Sequence, residues 1–182
     1  MLDTKGPEIR LGDIENDKAL LIQGEEFILT TDVILGTEKK ATVTYKQIAK
    51  DVKVGTIILL DDGLIALEVK KVKKNEIICN ILNTGTIKSK KGVNIPGIKI
   101  SLPSLTERDK EDIKFGIEND VDFIAASFVR KAQDVIDLRK YMDSLGGTRT
   151  KIIAKIENEE GIENLDEILN VSDGIMVARG DM

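Results

Sequence analysis

KIIAKIEN, residues 151–158, decides how the chain is read. Ile152, Ile153, Ala154 and Ile156 form an apolar run of strand length, yet Lys155 and Glu157 lie at its end. Residues i and i+2 of a strand face the same way, so an ammonium and a carboxylate are set side by side where the strand stops. A solvated strand end and an active site both fit that pair.

Working outward, VDFIAASFV (121–129) is a second apolar strand and DGIMVARGD (173–181) a third. Between the first two, Val135, Leu138, Met142 and Leu145 fall at helical spacing, and Gly146-Gly147 stops the helix. Ile162, Leu165, Ile168 and Leu169 mark another helix. Upstream, a helix is expected after Pro103, with Thr106 and Asp109 spaced as a capping box in which Asp replaces the usual Glu. Alternating strands and helices with nearly continuous apolar strands predict parallel pairing with helices outside. A repeat of roughly 20–30 residues suits (β/α) barrel units, and equally an open α/β sheet.

The first hundred residues differ in texture. ALLIQGEEFILTT (19–31), ATVTY (41–45), GTIILLDDGLIALEVKKV (55–72) and NEIICNILN (75–83) are rich in Ile, Leu, Val and Thr. Asp62-Gly63 predicts a tight hairpin, and KQIAKDVKVG (46–55) has room for one helical turn. MLDTKG reads as the end of an earlier strand, so the β block is expected to be inserted in a βα loop. Three or four parallel strands cannot close a barrel, and the alternation stops at ARGDM, so a segment of a longer protein is expected.

Composition narrows the chemistry. The chain has 182 residues, with 41% hydrophobic and 3% aromatic, no Trp, and a formal net charge of -5. This argues against base stacking on nucleic acid and against an anionic membrane footprint. No run is long enough to span a bilayer, and MLDTKGPEIR lacks the apolar core of a secretory signal. The single cysteine, Cys79, sits in an apolar run and is expected to be a buried structural thiol. There is no His, which removes serine-type triads and the usual zinc sites.

Polar and charged residues recur at the strand ends: Ser127 and Arg130, Lys155 and Glu157, Arg179 and Asp181. In (β/α) barrels such ends form the active site. Glu157 and Asp181 are hard oxygen ligands suited to Mg2+ or Mn2+, and Lys155 beside them could stabilise a transferring phosphoryl group. Acids before a helix also simply favour its dipole, and Glu157 opens the run ENEEG. Asp3 and Thr4 offer oxygens to a cation, and Arg10 a phosphate contact; a charged hinge fits LDTKGPEIR equally. In SKKGVNIPG (89–97), Lys90 or Lys91 could reach nucleotide phosphates, or the loop is merely solvated. Arg179-Gly180-Asp181 also spells an adhesion tripeptide, which a buried strand disfavours.

Taken together, LDTKGPEIR, LLDDGLI, KKGVNIPG, FIAASFVR, IIAKIENEEGIEN and SDGIMVARGD resemble the pyruvate kinase family, in its order and at about its spacing, from end to end. The resemblance implies an α/β fold: a partial (β/α)8 TIM barrel with an inserted all-β barrel lid. Residues 1–6 would end a barrel strand, 7–102 would be the lid, and 103–182 would be partial barrel. It implies phosphoryl transfer from phosphoenolpyruvate to ADP, giving pyruvate and ATP, with Mg2+ (or Mn2+) and K+ as cofactors. Lys155 would be catalytic and substrate-binding. Ala178, Arg179, Gly180 and Asp181 would lie at the substrate, Glu157 and Asp181 on the divalent metal, and Asp3 and Thr4 on K+. Arg10 and Lys91 would contact nucleotide phosphate. Neither nucleic acid nor membrane is implied as a partner; a cytoplasmic homotetramer is. Further residues that the family uses would precede residue 1 and follow residue 182, so these 182 residues alone are expected to be inactive.

Overall fold

The computed structural model describes residues 1–98 and 101–179. The chain divides into two compact units: Met1–Pro7 with Leu102–Met182, and Glu8–Ser101.

The first unit is built on a four-stranded, all-parallel sheet, in the order β1 (Leu2–Asp3), β10 (Phe123–Ala126), β11 (Lys151–Ile156), β12 (Gly174–Val177). Helix α2 (Glu107–Glu118) leads into β10, α3 (Ala132–Ser144) joins β10 to β11, and α4 (Glu159–Glu163) with α5 (Leu165–Leu169) joins β11 to β12. Alternate strand residues Ile124, Ala126, Ile152, Ala154 and Ile156 pack with Val135, Leu138 and Met142 of α3 and with Ile113 and Ile168 in one core. Sequential parallel strands with helices between them are (β/α) barrel units in their simplest form.

Helix boundaries follow side-chain chemistry. Thr106 and Asp109 form a reciprocal capping box at the start of α2. Asp109 is fully buried, and its other oxygen accepts the Gly6 N–H at 3.0 Å, tying the end of β1 to this helix. Gly146, at φ +82°, ends α3. The apolar residues 162–169 make two short helices rather than one: α4 and α5 meet at Asn164, whose amide donates to the Arg130 carbonyl at 2.9 Å. That break leaves Ile162 51% and Leu169 44% exposed, while Ile168 is buried. Asp173 sits between strands: it accepts from Ile152 N–H at 2.8 Å and from Lys151 Nζ at 2.9 Å, just before β12.

The second unit holds a six-stranded sheet, in the order β4 (Lys40–Thr42), β3 (Glu26–Thr30), β7 (Glu76–Ile81), β6 (Ile65–Val72), β5 (Ile57–Leu60), β9 (Val93–Asn94). A second pair joins β2 (Lys18–Leu21) to β8 (Gly85–Lys88). The β5–β6 hairpin turns on Asp61, Asp62 and Gly63, all at positive φ. Residues Ile48–Asp51 form one helical turn, α1.

The chain around Ile9–Gly12 closes this sheet. Leu11 N–H donates to the Lys91 carbonyl at 2.8 Å, and Val93 N–H donates to Ile9 at 2.8 Å. On its other side Gly12 N–H donates to Thr42 at 2.9 Å, and Thr44 N–H to Arg10 at 2.9 Å. One short segment therefore satisfies the β9 edge and the β4 edge together, and the sheet curls into a barrel with no open edge there. Phe27, Leu29, Leu67, Cys79 and Ile81 fill it and are inaccessible to solvent. Burial pushes the Cys79 thiol up to about 12, so it is a packing group and not a nucleophile. Among the described residues no helix is long and apolar enough to cross a membrane.

Two predictions follow from these polar anchors. Asp109→Ala removes the return half of the α2 capping box and leaves the Gly6 N–H unmatched; unfolding by urea should show a loss of about 2–4 kcal/mol. The Asp173 carboxyl is held below its ordinary value: burial raises it, but the Ile152 N–H and the Lys151 ammonium outweigh that. A depressed pKa stabilises above the unfolded value of about 3.9 and loses that effect as pH falls through the folded value. Melting curves of wild type and Asp173→Asn should therefore differ at pH 7 and converge in acid below about pH 4.

Candidate active site

Lys155 leaves β11 on the face away from the helices, because Ala154 and Ile156 on either side of it are committed to the helix-packed core. Its side chain is only 12% exposed. An ammonium this little exposed needs partners, and three groups supply them. Nζ lies 3.1 and 3.2 Å from the two Asp3 carboxylate oxygens, 2.9 Å from Ser127 Oγ, and 3.1 Å from Glu157 Oε1. Burial pulls the Lys155 pKa down, but hydrogen bonds to Asp3 and Glu157 and the charges of both more than reverse this, and the net shift is upward. Lys155 is thus an ammonium at neutral pH.

The strand order explains the convergence. Asp3 pairs with Ala125, and Ala125 with Ile153, so Asp3 stands on the same face as Lys155 and two residues short of it along β11. Lys155 reaches across β10 to Asp3 on its long stem. Glu157, 2% exposed, is held from the other side: its Oε2 accepts the Phe128 N–H at 2.6 Å. Phe128 can aim that N–H because it adopts φ +56°, a left-handed conformation that a bulky residue takes at a cost of about 1–3 kcal/mol.

Thr4 is 5% exposed and woven into the same corner. Its Oγ1 accepts Ser127 N–H at 3.1 Å, and its carbonyl accepts Ser127 Oγ at 2.7 Å. Gly6 must be glycine: it sits at φ +72°, and a Cβ there would lie 2.8 Å from the Ser127 carbonyl oxygen.

Of the residues singled out from sequence, Asp3, Thr4, Lys155 and Glu157 come together. Ala178 continues the β12 ladder, its N–H donating to Ile156 at 3.2 Å, and Arg179 is exposed. Gly180 and Asp181 lie outside the described residues. Arg130 turns inward to brace the fold: it is 11% exposed, pairs with Asp134 at 3.3 Å and donates to the Leu102 carbonyl at 2.9 Å.

Arg10 and Lys91 belong to the β unit and lie on the paired segments that close its barrel. Arg10 forks onto Glu8 at 2.6 and 2.8 Å and donates to the Lys90 carbonyl at 2.8 Å. Lys91 pairs with Asp61 at 2.8 Å, which raises its pKa. Each cation has a carboxylate neighbour that an incoming phosphate would have to match.

Ser127 and Phe128 carry more of this geometry than sequence reasoning gave them. The only signal was a serine at the end of an apolar strand; a backbone N–H aimed by a left-handed φ leaves no mark on residue type. Among the described residues no group of three Asp, Glu, Cys or His comes together as a metal cage. Glu157 nevertheless offers the hard oxygen chemistry that Mg2+ takes, and Asp3 with Thr4 offers that of K+.

The chain as a whole is similar to known proteins. A family profile described as pyruvate kinase, barrel domain, matches residues 1–182. The pyruvate kinases of Staphylococcus haemolyticus and Geobacillus stearothermophilus are each 53% identical to this chain over its whole length, and the chain spans 31% of theirs. That of Clostridium perfringens is 50% identical, with 39% of its length spanned. The crystal structure of a pyruvate kinase from Cryptosporidium parvum superposes with a TM-score of 0.90 at 40% identity, covering all of this chain and 39% of that one. The chain spans about a third of the curated relatives it matches, and over that span it belongs to the pyruvate kinase family, in the part that contains the barrel domain.

Proposed function

We propose that these residues are the part of a pyruvate kinase that holds the phosphoryl group in transit from phosphoenolpyruvate to ADP, with pyruvate and ATP as products. The observation that carries this reading is the Lys155 ammonium, buried at the end of β11 among Asp3, Ser127 and Glu157.

In phosphoryl transfer the bond from phosphorus to the enol oxygen breaks as the bond to an ADP oxygen forms. Charge spreads over the phosphoryl oxygens and is left on the departing enolate. A fixed ammonium in a site of low exposure stabilises both without reorganising. Lys155 suits this because neighbouring carboxylates keep it charged and the strand keeps it in place. Ala178, Arg179, Gly180 and Asp181 follow β12 and would line the substrate. Glu157 and Asp181 would hold Mg2+ or Mn2+, and Asp3 and Thr4 would hold K+. Bound there, the cations would neutralise phosphoryl and carboxylate charge. Arg10 and Lys91 would meet the nucleotide phosphates from the β unit, residues 7–102, acting as a lid over the partial barrel of 1–6 and 103–182.

In this reading the 182 residues alone are inactive, and the whole enzyme is a cytoplasmic homotetramer with no nucleic-acid or membrane partner. The test is a lactate-dehydrogenase-coupled assay with phosphoenolpyruvate, ADP, Mg2+ and K+. It compares these residues alone, a chain of the relatives' full length containing them, and that longer chain with Lys155→Met. Turnover is expected only from the longer chain, with kcat at least about a hundredfold lower for Lys155→Met. A longer chain that is folded but inert would sink the assignment.

A further inference from the structure

We propose that Ser127 is the positioning residue for Lys155. The proposal rests on the function proposed above and adds a residue to it. Ser127 is 7% exposed and hydrogen-bonds to Asp3, Thr4 and Lys155. A hydroxyl has one proton to give and lone pairs to accept with. The acceptor closest to Ser127 Oγ is the Thr4 carbonyl, at 2.7 Å, with Asp3 Oδ1 at 3.3 Å. With its proton on Thr4, Oγ presents a lone pair to Lys155 Nζ at 2.9 Å, the shortest contact the ammonium makes.

That arrangement differs in kind from the contacts with Asp3 and Glu157. Asp3 is 60% exposed, and its carboxylate is held only by side chains, those of Lys155 and Ser127. The Ser127 hydroxyl is locked by backbone: its own N–H is fixed on Thr4 Oγ1 at 3.1 Å, and its Oγ on the Thr4 carbonyl. Thr4 is in turn fixed by its N–H on Ala125 at 2.9 Å. Ser127 therefore ties the tip of a long flexible side chain to the frame of β1 and β10. It is neutral, so it holds the ammonium in place without cancelling the charge that catalysis uses. When Asp3 is drawn toward a monovalent cation and Glu157 toward a divalent one, Ser127 remains the partner that keeps Lys155 pointing at the substrate.

The test uses a chain of the relatives' full length, as wild type, Ser127→Ala and Ser127→Thr, each checked by circular dichroism and melting. If Ser127→Ala does not fold, Ser127→Cys, of similar size but a poor acceptor, replaces it. The first readout is acetylation of Lys155 by limiting acetic anhydride, followed by mass spectrometry and normalised to exposed lysines. Modification of Lys155 should rise at least about threefold in Ser127→Ala and stay near wild type in Ser127→Thr. This reading does not need turnover, so it stands apart from the fate of the functional assignment. The second readout is kinetic: kcat should fall by about tenfold or more in Ser127→Ala, with KM for ADP within about twofold and no recovery on raising K+. Unchanged Lys155 reactivity in a folded Ser127→Ala would overturn the proposal. So would full recovery of kcat at high K+, which would assign Ser127 to Asp3 and Thr4 alone.

Discussion

One ammonium, nearly out of water at the end of a strand, constrains everything around it. Lys155 at 12% exposure cannot be left unpaired, since an isolated buried charge would be strongly destabilising. Its carboxylate partners come from different parts of the sheet: Asp3 from β1, two strands away, and Glu157 from just beyond β11 itself. The pairing works only if β1 lies beside β10 in the register that puts Asp3 on the same face as Lys155. The fold and the charge are thus one requirement. A shift of β1 by a single residue would turn Asp3 to the opposite face and leave Lys155 with a weaker set of acceptors.

The same corner stores strain in a known place. Phe128 takes a left-handed conformation that a bulky residue avoids, and in return its N–H meets a buried carboxylate at 2.6 Å. Beside it, Gly6 sits at φ +72°, and a side chain there would strike the Ser127 carbonyl. Two adjacent turns, from β1 and β10, are therefore packed against each other closely enough that one must lack a side chain. A rigid site for a lysine and a glutamate is the consequence, since neither turn can relax without disturbing the other.

These particulars show what could be read from residue order. Lys155 and Glu157 are two apart on a strand, so their shared face was legible from period alone, and so were the Thr106–Asp109 cap and the turn at Asp62-Gly63. Each is local, with its partners within a few residues. The cofactors and substrate proposed for these charges came only from the family resemblance. The segment at Ile9–Gly12 was not legible as a strand, because it makes isolated bridges to two different edges, and the charges of LDTKGPEIR, which overlaps it, suggested a hinge. The division of residues 159–169 into two helices was also hidden. Its cause is a long-range bond from Asn164 to Arg130, and helical periodicity across the break looks continuous.

An insertion as large as Glu8–Ser101 between β1 and α2 would seem to endanger a site that needs β1 held tightly. For a floppy insert, closing such a loop would cost about 4 kcal/mol, rising slowly with length. This insert is ordered, and it closes itself. Its first strand-like segment, Ile9–Gly12, is hydrogen-bonded to Lys91 and Val93 near its own end, so entry and exit are brought together by the barrel's backbone. The exit is pinned again at Ser101, whose N–H donates to Tyr45 Oη at 3.0 Å and to Asp51 at 3.1 Å. Burial and the Asp51 hydrogen bond hold the Tyr45 phenol up at about 12, so this anchor keeps its proton at any physiological pH. Within the α/β unit, the bond from Gly6 to Asp109 seats the end of β1 against α2.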